Sequence, residues 1–230
     1  VYFELDSYFL DANDRNILKK VVNEVKSSNK ENSQFTVNVT SWVQPTRVSP
    51  NFQILSTGRA KAVANYLKSL GLTPANENGA GQIVAAGPLS ALSKLAENPP
   101  AGARVRPLAV SGAFHTSTMA PAVTELALIA ARTEVKDAVQ PVISNKDGAV
   151  VSQGREILDR IVGQIAGPVR WDLCMQTLAK CGVTGVIEIP PAGTLVGLIK
   201  RAEPSIETFA LKTPEDIPAA REFIAKHGAN

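Results

Sequence analysis

A chain of 230 residues, 44% hydrophobic and 20% charged, can bury one large core or two small ones and has an ordinary globular composition. Its 24 basic and 21 acidic residues are interspersed, and the resulting net charge of +3 argues against nucleic acid or an anionic membrane as a partner. No run of 18 apolar residues occurs and Val1 begins no signal peptide, so neither a membrane span nor a secretory leader is expected.

The chain opens with a short apolar strand, 1–5, followed by a helix within 11–28 that carries Ile17, Leu18, Val21, Val22 and Val25 on one stripe. The stretch 35–43 alternates strictly, with Phe35, Val37, Val39, Ser41 and Val43 on one face, and reads as a half-buried strand. After a two-proline loop, 54–70 is a helix with Leu55, Val63, Leu67 and Leu70 facing inward and Gly71 as its stop. Two short strands flank a Gly-rich turn in 74–87, and a helix over 88–98 and a strand over 103–110 follow. Helices over 118–134, 155–166 and 172–180 then alternate with strands over 140–144 and 184–189. Thr194 is positioned to cap a short helix ending at Arg201, and Thr213 with Pro214 to open the last helix. Helices alternating with apolar strands indicate α/β layers.

Composition shifts near residue 72. All three tyrosines, Tyr2, Tyr8 and Tyr66, and the polar run 26–34 precede it, whereas 73–230 is rich in Ala, Val, Gly and Pro. This points to two ancestries. The cysteines, Cys174 and Cys181, sit seven apart in one expected helix. That spacing is roughly 10 Å along the axis, too far for an undistorted disulfide. Only His115 and His227 could join them on a metal, so reduced thiols and no metal site or cofactor are expected.

His115 lies in "SGAFHTSTMAPA", 111–122, just after a strand, where a general base is often placed. No G-x-S-x-G occurs anywhere in the 230 residues. The stretches "PANENGAGQIVAAG", "LAVSGAFHTSTMAPA", "PVISNKDG", "GPVRWD" and "EIPPAGTLVGLIKR" together resemble malonyl-CoA:acyl carrier protein transacylase from about residue 71 to the end. That resemblance implies malonyl transfer from coenzyme A to a carrier protein in the cytoplasm. It gives His115 the role of residual base and sets Asn145 close to the site. It also implies that a backbone carbonyl from the loop Pro190–Leu195 holds the histidine. The family's serine elbow and carboxylate-binding arginine have no counterpart here, so the chain alone is expected to be inactive. Malonyl-CoA and acyl carrier protein are the partners the resemblance implies.

Residues 1–72 resemble the first half of an OmpA-like peptidoglycan-binding domain, through "VYFELDSYFLDANDRNILKKVV" and "NFQILSTGRAKAVANYL". There, Arg59 matches an arginine that grips the diaminopimelate of a peptidoglycan stem peptide, while Gln44 stands where the family has an aspartate. An uncharged Gln44 cannot pair with an ammonium group. A peptidoglycan-binding module in the cell envelope, or a chimera without function, is therefore the alternative.

The two resemblances imply an α/β chain with a ferredoxin-like small sheet layer plus an incomplete acyltransferase-type parallel α/β lobe. The domains expected are an OmpA-like β-α-β-α segment, 1–72, and a transacylase portion, 73–230. The latter divides into a ferredoxin-like remainder, 73–112, and a lobe, 113–230. The short link "GLTP" leaves little room for independent domains, so strand 35–43 is expected to pair with a strand from 74–110.

Overall fold

A computed structural model describes residues 34–41, 58, 62–65, 67–68, 71–97, 103–108, 110 and 112–228. The expected strand 1–5 and helix within 11–28 lie outside the described residues. So do Gln44 and Arg59.

The first layer is a four-stranded antiparallel arrangement. Strands β1 (Gln34–Ser41), β2 (Thr73–Gly79), β3 (Gln82–Pro88) and β4 (Ala103–Pro107) line up in the order β4-β1-β3-β2. This is the strand order of a ferredoxin-like β-α-β-β-α-β unit. β1 lies in its middle, with Val37 opposite both Ala85 of β3 and Pro107 of β4. The hybrid sheet expected from the order of elements is therefore formed, with the strand running over 34–41 rather than 35–43.

Two helices cover one face of this sheet. Val63, Ala64 and Leu67 come from the helix before β2, and Ala91, Leu92 and Leu95 from α1 (Leu89–Glu97). Both sets pack on Ile83 and Ala85 of β3. The preceding helix ends as its sequence demands. Leu72 N–H donates to Leu67 O, Gly71 N–H donates to Lys68 O, and Gly71 takes the positive φ of +77° that closes such a turn. The alternate β3 residues, Val84 and Ala86, face the other way and pack on Ala75 and Ala113. β3 is thus buried on both sides, and its second face seats the start of the histidine loop.

A parallel pairing of β2 with β7 (Val169–Arg170) extends the sheet to five strands and joins it to the rest of the chain. There, α2 (Ala120–Ala131) and α3 (Gly154–Gln164) precede β7, which leads directly into α4 (Trp171–Lys180). β8 (Gly185–Glu188), α5 (Leu195–Ala202) and β9 (Glu207–Ala210) form a parallel strand-helix-strand unit, and α6 (Ile217–His227) closes the chain. Met175, Leu198, Ile199 and Ile206 are its core, backed by Trp171 and Val186.

This lobe is the less complete part. Among the described residues its strands form only the two-stranded pairs β5–β6 (Val142–Ile143 with Val150–Val151) and β8–β9. A parallel sheet in an α/β fold is ordinarily covered on both faces. Here Leu128 and Ile129 of α2 are 57% and 58% exposed. The strands β6, β7 and β9 were not anticipated from the sequence. β6 spans two residues, and "ETFA" of β9 lacks a run of apolar residues long enough to stand out.

Candidate active site

The histidine loop is stitched to the end of α3. Buried Thr116 donates its hydroxyl to Ala113 O at 2.7 Å, which tightens the turn around His115. His115 has φ +65°, a left-handed conformation uncommon for a side chain of its size and one that collects at functional sites. Its backbone N–H donates to Ile165 O at 2.9 Å, and its ring Nδ1 lies 2.7 Å from Gln164 O.

A carbonyl can only accept, so Nδ1 carries the proton in this contact, and in the neutral ring the lone pair is on Nε2. That is the tautomer a general base requires. The carbonyl belongs to Gln164, which corrects the expectation that the loop Pro190–Leu195 would supply it. Sequence reasoning missed Gln164 because its role is carried by the backbone, which has no residue signature. Gln164 is itself buried, with Nε2 donating to Pro168 O.

The loop containing Pro190–Leu195 is organised around a different residue. Buried Glu188, at the end of β8, accepts amide N–H groups from Gly193, Leu195 and Val196 at 2.8, 2.9 and 3.0 Å. Burial works against its charge, but these amides, with that of Thr194, outweigh it and hold the carboxyl below its usual range. Glu188 therefore satisfies the start of α5, where Thr194 was expected to cap. Thr194 has helical φ and ψ and makes no side-chain capping bond. At the other expected helix start, Thr213 N–H donates to Asp216 Oδ2 at 3.0 Å, and Pro214–Asp216 form a 3-10 turn ahead of α6, which begins at Ile217 rather than at Pro214.

Asn145 sits in the turn between β5 and β6, and its carbonyl accepts Arg170 N–H at 2.7 Å. The turn is pinned to α4 by Thr177 Oγ1 donating to Gly148 O and by Cys174 Sγ donating to Ser144 O. Gly148 has φ +73°, and a Cβ there would lie 2.7 Å from Leu173 O, so the turn lies flush on the helix. Cys174 is buried and Cys181 exposed, both as free thiols. Burial, then the charges of Asp172 and Asp147, push the Cys174 thiol up to about 11. It is therefore a packed, protonated thiol at neutral pH.

Arg170 ties the layers together. Its guanidinium meets Asp172 at 2.8 and 2.9 Å and Glu77 of β2 at 3.6 Å. A cavity of about 600 Å³ opens beside it, in the size range of small-molecule sites. His115, Ser117, Lys146, Arg170, Glu77 and Lys68 contribute its polar wall. The structure thus brings His115 and the residue after Asn145 onto one cavity, while Arg59 and Gln44 lie outside the described residues. Among the described residues no three His, Cys, Asp or Glu side chains are grouped to hold a metal, and no helix is long and apolar enough to cross a membrane.

Comparison with known proteins matches both parts of the chain. Residues 2–98 match the OmpA family, well past residue 72, so β2, β3 and α1 fall within that match. Malonyl CoA-acyl carrier protein transacylase of Mycobacterium bovis is 49% identical over 160 residues, covering 70% of this chain and 53% of that protein. The Mycolicibacterium smegmatis transacylase is 45% identical over 179 residues, 76% of this chain and 60% of its own. The crystal structure of MCAT from Mycobacterium tuberculosis superposes with a TM-score of 0.70 at 39% identity, covering 90% of this chain and 61% of that one. This chain spans between half and two thirds of the length of these relatives. The structural match reaches further along the chain than the sequence match, in keeping with β1 filling a strand position of the transacylase fold. The C-terminal seven-tenths of this chain is homologous to the malonyl CoA-acyl carrier protein transacylases, and its N-terminal part matches the OmpA family.

Proposed function

We propose that residues 73–230 are the base-bearing portion of a malonyl transacylase, and that residues 1–72 stand in for the first strand and helix of its small subdomain. The reaction class is transfer of a malonyl group from coenzyme A to the phosphopantetheine thiol of an acyl carrier protein, in the cytoplasm. His115 Nε2 takes the proton of the attacking hydroxyl or thiol as it adds to the thioester carbonyl, and returns it to the departing thiolate. Asn145 holds the wall beside the cavity through its carbonyl bond to Arg170. The observation that carries this reading is the 2.7 Å contact of Nδ1 with Gln164 O, which leaves Nε2 as the acceptor.

Nucleophilic acyl transfer also needs a nucleophile within reach of the base and donors aimed at the oxyanion. These 230 residues contain no G-x-S-x-G elbow, so the chain by itself does not turn over. Intact mass spectrometry after incubation with malonyl-CoA tests this. The expected result is an unmodified chain, and a malonyl adduct that disappears in His115→Ala overturns it.

The OmpA match favours one second reading, a peptidoglycan-binding module located in the cell envelope and using Arg59. With Gln44 at the aspartate position, binding of diaminopimelate peptides is expected to be no tighter than millimolar. Calorimetric titration decides it, since micromolar saturation lost in Arg59→Ala establishes the module instead.

A further inference from the structure

Helix α2 has a composition and a setting that disagree. Thr124 and Glu125 are its polar residues, and the rest of its 12 are apolar. A helix apolar on every side is ordinarily a buried one. Of α2 only Ala130 is buried, although Arg155 of α3 reaches across to Ala130 O at 3.0 Å. Leu128 and Ile129 project into solvent. More apolar surface is open on the same lobe, at Ile161 of α3 and at Val142 and Val150 of β5 and β6. The strand pairs β5–β6 and β8–β9 also stop at two strands each. Apolar surface gathered in this way marks a docking face.

The occupant follows from the superposition on the Mycobacterium tuberculosis structure, which has a large portion that this chain does not match. That portion is polypeptide the same fold contains beyond these 230 residues, and the lobe is where strands are short. We propose that the α2 face, centred on Leu128 and Ile129, is the docking surface for a second polypeptide, the portion of a transacylase that this chain does not match. This rests on the transacylase reading above and adds to it a partner and the surface that takes it. The turn Ser117–Met119 joins the histidine loop directly to α2, so a chain laid along α2 also reaches that loop. The partner has to bring the nucleophile as well, since acyl transfer needs one and no G-x-S-x-G occurs here. Its serine hydroxyl adds to the thioester carbonyl of malonyl-CoA, and His115 Nε2 takes the hydroxyl proton and returns it to the departing sulfur. The products are a malonyl ester on the partner and free coenzyme A.

The probe is the unmatched portion of the Mycobacterium tuberculosis transacylase, co-expressed as a separate polypeptide with the full 230-residue chain. The expected result is a complex of one copy of each by sedimentation, with amide exchange over 120–131 slowed relative to the chain alone. Leu128→Asp and Ile129→Asp should each weaken the complex by about tenfold or more, because docking would bury an unpaired charge. Ile224→Asp, on the exposed side of α6, should leave it unchanged. All three variants should melt with the unaltered chain, since these side chains stand in solvent, and this separates lost docking from a lost fold. Absence of a complex, a complex indifferent to the α2 variants, or pairing of α2 with a second copy of this chain instead overturns the docking surface and leaves the transacylase reading in place. A complex protected at α2 that takes no malonyl group from malonyl-CoA upholds the surface and overturns that reading.

Discussion

The small sheet and the lobe meet the same difficulty with different results. The small sheet needs a strand between β3 and β4, and β1, which precedes the composition shift near residue 72, fills that place. Two helices then seal one face and the histidine loop reaches the other. In the lobe, the pairs β5–β6 and β8–β9 end without further described partners, and Leu128 and Ile129 stay open. Ladder hydrogen bonds run between backbones and accept any suitable strand, whereas a packed face needs side chains shaped for it. A strand from elsewhere can therefore complete a sheet more readily than it can complete a core.

Substitutions can break that contrast. The largest effect is expected at the sealed face, where Leu92→Ala should destabilise by about 3 kcal/mol in denaturant titration, the usual cost of an uncollapsed core cavity. Gly148→Ala comes next. It combines a left-handed backbone with a backbone clash against Leu173, and should cost about 2–3 kcal/mol in the same assay.

Glu188→Gln should cost about 1–2 kcal/mol at neutral pH, because backbone N–H groups lose a charged acceptor. Its carboxyl is held below the usual range in the folded chain, so its stabilisation is complete above the ordinary glutamate value, about 4.3. It fades as pH falls through the lower folded value. Melting temperatures followed down in pH should converge between Glu188→Gln and the unaltered chain, and curves that stay parallel contradict the assignment. The smallest effect belongs to the open face. Leu128→Ser should shift stability by less than about 0.5 kcal/mol, and a loss comparable to Leu92→Ala would mean that α2 is covered after all.

Much of this arrangement was legible in the sequence, and its omissions have physical causes. The alternation in 35–43 and the tight link at Gly71 foretold the mixed sheet, because strand pairing follows from element order and connection length. His115 was visible from its place after a strand. Its partner Gln164 was not, since a carbonyl is present at every residue and only the fold selects one. Glu188 was hidden for a similar reason: a glutamate ending a strand resembles any solvated carboxylate until the following loop turns its amides back upon it. β9 escaped because four residues of mixed polarity carry no periodic signal.

The central claim is that β1 belongs to the sheet that carries the histidine loop. Nuclear Overhauser measurements on the isotope-labelled chain address it most directly. Backbone cross-peaks joining residues 34–41 to 82–88 on one side and to 103–107 on the other are the predicted result, with Val37 seen next to both Ala85 and Pro107. Residues 34–41 giving no cross-peak to anything beyond residue 72 would contradict it, and the chain would then be two unconnected fragments.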